Sequence, residues 1–174
     1  MTKWLLGLAV AAALVTPSFA ADPGWPQYGG DSGGQRFSAA RQITPANVAT
    51  LSVAWTFSTG DMTTHADAMK RASFENTPIL AEGRLYVCSP FNEVSALDPG
   101  TGAQLWRFDP KLDTRIHYPN DYVCRGVAFA RHATTGACAA RIYLNTADRR
   151  LIALDAASGK PCADFGKHGT VAIA

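Results

Sequence analysis

The sequence predicts an all-β chain built from repeated four-stranded antiparallel units, the arrangement of β-propeller blades. Three observations carry that prediction. The segment Arg84-Leu85-Tyr86-Val87 recurs as Arg141-Ile142-Tyr143-Leu144, and Ala96-Leu97-Asp98 recurs as Ala153-Leu154-Asp155, both at an offset of 57 residues. Self-similarity at a fixed period is the signature of a repeat architecture. Between the landmarks, short apolar and β-branched runs alternate with Gly, Pro and Asp turns, as strands do. Past residue 20, no stretch sustains a 3.6-residue apolar period bounded by caps.

Residues 1–20 stand apart from the fold. Lys3 precedes an apolar run from Trp4 to Val15, and Pro17-Ser18-Phe19-Ala20 follows, the pattern of a secretory signal peptide cleaved after Ala20. The run is shorter than the roughly 20 residues that cross a bilayer. A retained N-terminal anchor is the alternative. Residues 21–174 then form an exported domain. Its composition is globular: of the 174 residues 47% are hydrophobic and 17% charged, which excludes disorder and coiled coil. Sixteen Lys and Arg against 14 Asp and Glu are evenly scattered, so nothing points to a phosphate-neutralising surface and no nucleic-acid partner is expected.

In chain order, one helical turn is expected at Pro45-Ala46-Asn47-Val48-Ala49 behind a Thr44 cap. A strand is expected around Trp55-Thr56-Phe57, echoed later by Trp106-Arg107-Phe108. The first full unit runs from Glu75 to Phe108, with strands at Thr77–Leu80, Arg84–Cys88, Glu93–Leu97 and Gln104–Phe108. The second runs from Arg125 to Phe165. Two units and a preceding strand are too few to close a ring of 4–8 blades, so the chain is expected to be part of a longer protein or to need partners over its open sheet edges. Export favours disulfides for Cys88, Cys124, Cys138 and Cys162, which include no C-x-x-C pair. Three pairings are open. Cys124 with Cys138 is favoured, because Arg131 to Gly136 reads as a loop that folds the chain back.

The segment Ala96-Leu97-Asp98-Pro99-Gly100-Thr101-Gly102-Ala103-Gln104-Leu105-Trp106 matches the tryptophan-docking pattern A-x-D-x-x-T-G-x-x-x-W, and resembles that of quinoprotein dehydrogenases. Asp98 and Thr101 are suited to tying down the turn, Gly102 to a positive φ, and Trp106 to packing on the neighbouring blade. The second unit keeps Asp155 and Gly159 but has Ser158 for Thr and Ala163 for Trp, so its clamp is expected to differ, with Phe165 filling the space. Trp25-Pro26-Gln27-Tyr28-Gly29-Gly30-Asp31, Thr59-Gly60-Asp61, Thr77-Pro78, Cys124-Arg125-Gly126-Val127 and Thr146-Ala147-Asp148 are similar to the glucose/quinate/shikimate branch of the PQQ-dependent dehydrogenases. The resemblance implies the N-terminal part of an eight-bladed propeller holding PQQ and Ca²⁺ near its axis.

On that resemblance, three residues are expected at the cofactor. Arg125 matches the carboxylate-binding Arg, whose guanidinium donates two parallel charge-assisted hydrogen bonds. Glu75 matches the acid that touches the cofactor, and Thr146 its hydroxyl partner. The bland readings are a surface ion pair, a solvated strand-start Glu and an ordinary β-strand Thr, with Asp148 fixing the loop. Alcohol-oxidising members carry a vicinal disulfide where Asn120 and Asp121 stand, which favours the sugar and cyclic-polyol branch. Asp121 also occupies the place of a substrate-side His, and His117 is a candidate substitute. His65, His132 and His168 read as surface residues. No metal ligand and no catalytic base is expected in this chain; the resemblance places the Ca²⁺ ligands and the base beyond residue 174. It implies oxidation of a CH–OH group, electron transfer to ubiquinone, the remaining blades as partners, and a periplasmic location with inner-membrane association open. A non-catalytic propeller scaffold of the outer-membrane assembly type is the rival reading, since the repeats are architectural.

Overall fold

A computed structural model describes residues 24–173, so the signal-peptide segment lies outside the described residues. Among the described residues, ten strands form two four-stranded antiparallel sheets and one short parallel pair. The first sheet contains β2 (Ile79–Ala81), β3 (Arg84–Cys88), β4 (Val94–Leu97) and β5 (Gln104–Phe108), in chain order. The second contains β7 (Ala128–Arg131), β8 (Ala140–Asn145), β9 (Arg150–Asp155) and β10 (Thr170–Ala172), also in chain order. Between them, β1 (Ala72–Ser73) pairs parallel with β6 (Tyr122–Val123).

Period-two alternation decides how the sheets stack. In β3, Tyr86 and Cys88 point to one face while Leu85 and Val87 point to the other. The first face joins Ile79, Val94 and Ala96 in a buried cluster with Ile142, Leu144, Ile152 and Leu154 of the second sheet. The core therefore lies between the blades, and each fully buried Ile, Leu or Val there contributes about 1.5–3 kcal/mol of transfer free energy. The opposite face, with Leu85, Val87 and Leu97, borders an open groove shared with Trp55 and Phe57.

The turns at the blade ends explain how the repeat holds together. Asp98 Oδ1 accepts hydrogen bonds from the Gly100 and Thr101 amides (3.0 and 2.8 Å) and from the Thr101 hydroxyl (2.8 Å). Gly102 has φ +72°, and a Cβ there would lie 2.5 Å from the Trp55 ring. The second turn repeats this with different residues. Asp155 Oδ1 accepts from the Ser158 amide and hydroxyl (2.8 and 2.7 Å), and a Cβ on Gly159 would lie 2.6 Å from Trp106. Each turn thus receives the tryptophan of the preceding unit. Ser158 supplies to Asp155 the hydroxyl that Thr101 supplies to Asp98. Ala163 leaves this turn's clamp untouched, and Phe165 packs edge-on to Tyr143 at 5.6 Å. Trp106 Nε1 and the Tyr86 hydroxyl both donate to the Ala156 carbonyl (3.1 and 3.0 Å), and burial pushes the Tyr86 hydroxyl up to about 12.

Several expectations are corrected. The disulfides are Cys88–Cys124 and Cys138–Cys162, not Cys124 with Cys138. The loop after β7 does fold back, but it delivers Cys138 to the end of its own blade, where its amide bonds Asp155 Oδ2 at 2.7 Å. Cys124 instead runs beside the end of β3, with its Cα 6.0 Å from that of Cys88. Residues 51–60 pair with no strand among the described residues, so the segment around Trp55 forms no ladder. The last strand of the second blade is β10, past Phe165, because Pro161 makes only a single bridge to Leu154. The early turn is a 3-10 turn over Val48–Thr50 without a Thr44 side-chain cap; the Thr44 amide is bonded by Asn47 Oδ1 at 2.7 Å. A short helix α1 (Asp61–Thr64) and a 3-10 segment Ala66–Arg71 are too brief to leave a periodic signal.

Candidate functional site

The parallel pair β1–β6 brings distant motifs together. Ala72 registers with Tyr122 and Ser73 with Val123, so Glu75 and Arg125 follow their strands at equal distance. Arg125 Nε donates to Glu75 Oε2 at 3.0 Å, and the Thr77 amide donates to the Arg125 carbonyl at 3.1 Å. The Arg125 side chain is 75% exposed, and its Nη1 and Nη2 make no hydrogen bond among the described residues. So exposed an ion pair adds little stability. It leaves a fork of donors facing solvent.

Arg125 lines a cavity of about 390 Å³. Thr146, Asn120, Asp121, Arg149 and Asn92 line it too. A recess of about 320 Å³ adjoins it, sharing Asn120, Asp121 and Arg125 and adding Glu75, Lys70 and Arg71. Of the five residues expected at cofactor or substrate, the structure brings Glu75, Arg125, Thr146 and Asp121 together. His117 is exposed and lines neither space. Asp121 sits in a left-handed conformation, φ +53°, with its amide bonded to the Tyr118 carbonyl at 3.0 Å.

Thr146 is buried, and its hydroxyl is committed to its own turn. It accepts from the Arg150 amide at 3.1 Å and donates to the Asp148 carboxylate. Burial works against ionisation of Asp148, yet the hydrogen bonds from Arg150 and Thr146 outweigh it and hold the carboxyl below its ordinary range. Arg150 also reaches back to the Pro110 carbonyl at 2.7 Å. Thr146 therefore shapes the wall through its turn.

Residues 25–174 match the PQQ family described as "Glucose/ethanol/alcohol dehydrogenase, beta-propeller domain". The chain belongs to this family. It is similar to quinoprotein glucose dehydrogenase A of Acinetobacter calcoaceticus, 34% identical over 165 residues, which cover 87% of this chain and 20% of that protein. It is also similar to the quinate/shikimate dehydrogenase (quinone) of Acinetobacter baylyi, 37% identical over 165 residues, covering 84% and 20%. Among solved structures, the quinohemoprotein alcohol dehydrogenase from Comamonas testosteroni superposes with a TM-score of 0.61 at 34% identity, over 81% of this chain and 19% of that one. The chain spans about one fifth of the length of the curated relatives it matches.

The donor set fits the family's cofactor. PQQ is a planar tricarboxylate with quinone carbonyls, and it calls for cationic forks beside neutral donors. Arg125 and Arg149 supply the forks at the cavity, and Asn120 a neutral amide. Both amide atoms of Asn76 are buried without a hydrogen-bond partner among the described residues, beside Glu75 and close to Gly126. Sequence reasoning passed over Arg149, Asn92 and Asn76, because none falls in a recognisable motif. For Arg149 a signal was present: it is a cation three residues after Thr146.

One further expectation is corrected. His65 is not a surface residue: its ring stacks on Phe91 at 4.0 Å, and its Nε2 lies 2.9 Å from Glu93. Glu93 also pairs with Arg107, while Asp61 accepts from the Thr59 hydroxyl at 3.0 Å. Burial foremost raises the Asp61 carboxyl above its ordinary value. Asp61, His65 and Glu93 lie close enough together to hold a metal ion, and Glu93 joins them to Arg107 through its second oxygen.

Proposed function

We propose that this chain is the N-terminal portion of a periplasmic PQQ-dependent dehydrogenase that oxidises a CH–OH group of a sugar or cyclic polyol and passes electrons to a quinone acceptor. The observation that carries the reading is Arg125, with its terminal nitrogens unpaired, on the wall of a cavity that also holds Thr146 and Asp121 and adjoins Glu75. When bound, PQQ supplies a two-electron acceptor that no side chain can provide. Arg125 would hold a carboxylate of the cofactor through its unpaired terminal nitrogens, while Glu75 fixes the guanidinium from the Nε side. Arg149 adds a second positive charge to the cavity lining. Thr146 keeps its turn closed, so that the backbone there presents a fixed surface. Asp121, on the wall of both spaces, is the residue we propose to meet a substrate hydroxyl.

The relatives support the substrate class, since they include glucose and quinate/shikimate dehydrogenases. The Ca²⁺ ligands and the catalytic base are proposed to lie beyond residue 174, together with the remaining blades. Cleavage after Ala20 would deliver the protein to the periplasm.

The test is reconstitution of the full-length protein with PQQ and Ca²⁺, followed by dye-linked oxidation of glucose, quinate, shikimate and simple alcohols against an apo control. PQQ-dependent turnover of a sugar or cyclic polyol is expected. Arg125→Ala is expected to weaken PQQ binding by about 1.5–3 kcal/mol, the loss of a charged hydrogen-bond partner. Unchanged reconstitution of that variant would remove Arg125 from the site.

A further inference from the structure

We infer that Asn92 is the positioning residue of this site: it ties the wall carrying Arg125 to the wall carrying Thr146. The inference rests on the reading of the cavity as the PQQ site. Asn92 sits in the connection between β3 and β4 of the first blade, is only 2% exposed, and lines the cavity. Its side-chain Oδ1 accepts from the Ala147 amide at 2.9 Å, one residue past Thr146 and in the second blade. Its Nδ2 donates to the Val123 carbonyl at 3.3 Å, two residues before Arg125. A single amide thus spans both walls, and only one of its two orientations satisfies both partners.

The requirement for Asn is physical. The backbone at Asn92 is left-handed, φ +60°, closed by a hydrogen bond from its amide to the Ser89 carbonyl at 2.9 Å. Asn tolerates that conformation better than other side chains, and it carries both a donor and an acceptor on a short stem. Asp would keep the acceptor for Ala147 but set a carboxylate oxygen against the Val123 carbonyl. Gly would keep the backbone unstrained while deleting both ties. The neighbouring Cys88–Cys124 disulfide anchors the same β6 wall to the first blade, but it does not reach the Thr146 turn. Asn92 is the side chain that couples the two.

The experiment measures PQQ affinity directly, by titration calorimetry on the full-length apoprotein, for wild type, Asn92→Gly, Asn92→Asp, Arg125→Ala and Ile152→Val. Ile152 lies in the inter-sheet core, away from the cavity, and its variant controls for lowered stability alone. Asn92→Gly is expected to raise the PQQ dissociation constant about tenfold, in line with two lost hydrogen bonds. Ile152→Val should leave it unchanged. The PQQ concentration needed for half-maximal reconstitution should rise in the same ratio, with kcat at saturating PQQ unaltered. If Asn92→Gly does not fold, Asn92→Asp decides, and weakened binding is expected there too. Wild-type affinity in the folded Asn92 variants, with Arg125→Ala impaired, overturns the positioning role and leaves the site reading intact. Wild-type affinity in Arg125→Ala as well overturns both.

Discussion

The two blade-end turns differ in sequence and agree in structure. Asp98-Pro99-Gly100-Thr101-Gly102 carries the complete motif, whereas Asp155-Ala156-Ala157-Ser158-Gly159 lacks its Thr, and no Trp follows in register. Both nevertheless hold an Asp that accepts from a hydroxyl three residues on, and a Gly at φ near +70° beneath an indole. The indole comes from the preceding unit: Trp55 for the first turn, Trp106 for the second. The clamp is therefore a property of the junction between units. A motif read along one segment of chain locates its parts without showing which parts meet.

The two disulfides sharpen this distinction between junction and unit. Cys88–Cys124 staples the first blade to the wall that carries Arg125, while Cys138–Cys162 closes a loop inside the second blade. Their sequence separations are 36 and 24 residues, so the entropy of loop closure predicts nearly the same loss, about 3–4 kcal/mol, when either pair is replaced by alanine. Denaturant unfolding should find the two double variants within about 0.5 kcal/mol of each other on that account. PQQ affinity should separate them, falling only for Cys88→Ala/Cys124→Ala. Equal PQQ affinities in the two variants would mean that the staple stabilises the fold without orienting Arg125.

The two tryptophans offer the next contrast. Trp106 packs between two sheets, near Tyr86 and over Gly159, and it bonds the Ala156 carbonyl. Trp55 makes the equivalent bond to the Pro99 carbonyl at 3.1 Å, but from a segment that pairs with no strand among the described residues. Trp106→Ala should destabilise by about 3 kcal/mol, the low end for a large aromatic because the ring is only partly buried. Trp55→Ala should have a smaller effect on the cooperative transition, since no described inter-sheet core lies behind it. Equal losses would show that the clamp's strength resides in the turn alone.

The strands of the first blade were legible because local pattern and tertiary demand coincide there: Arg84–Cys88 and Gln104–Phe108 were placed to the residue. Glu75, Arg125 and Thr146 stand out through motifs, and their gathering around adjoining spaces follows from the β1–β6 pairing, although the Thr146 hydroxyl is bound within its own turn. What escaped was set by long-range contact. The partner of Cys124 is decided by which strand end passes nearby, and Asn92 acts across gaps of 31 and 55 residues that leave no trace in spacing. His65 was misread for the same reason, since its environment comes from Phe91 and Glu93 on another element. The end of the second blade was misplaced because the chain detours from Pro161 to Gly169 before β10 forms.

The smallest expected effect tests the comparison of the turns most directly. If the hydroxyl is all that the fourth position of the turn supplies, then Ser158→Thr should change the unfolding free energy by no more than about 0.5 kcal/mol, as should Thr101→Ser. Both side chains are exposed, so the added or removed methyl group meets little but solvent. A slight gain is expected for Ser158→Thr, because a β-branched side chain has fewer χ1 states to lose when its hydroxyl is held on Asp155. Chemical denaturation of the two variants in parallel gives the answer. A loss above about 1 kcal/mol for Ser158→Thr would mean that the second turn is shaped around Ser, and that the two junctions are related by topology without being interchangeable in their chemistry.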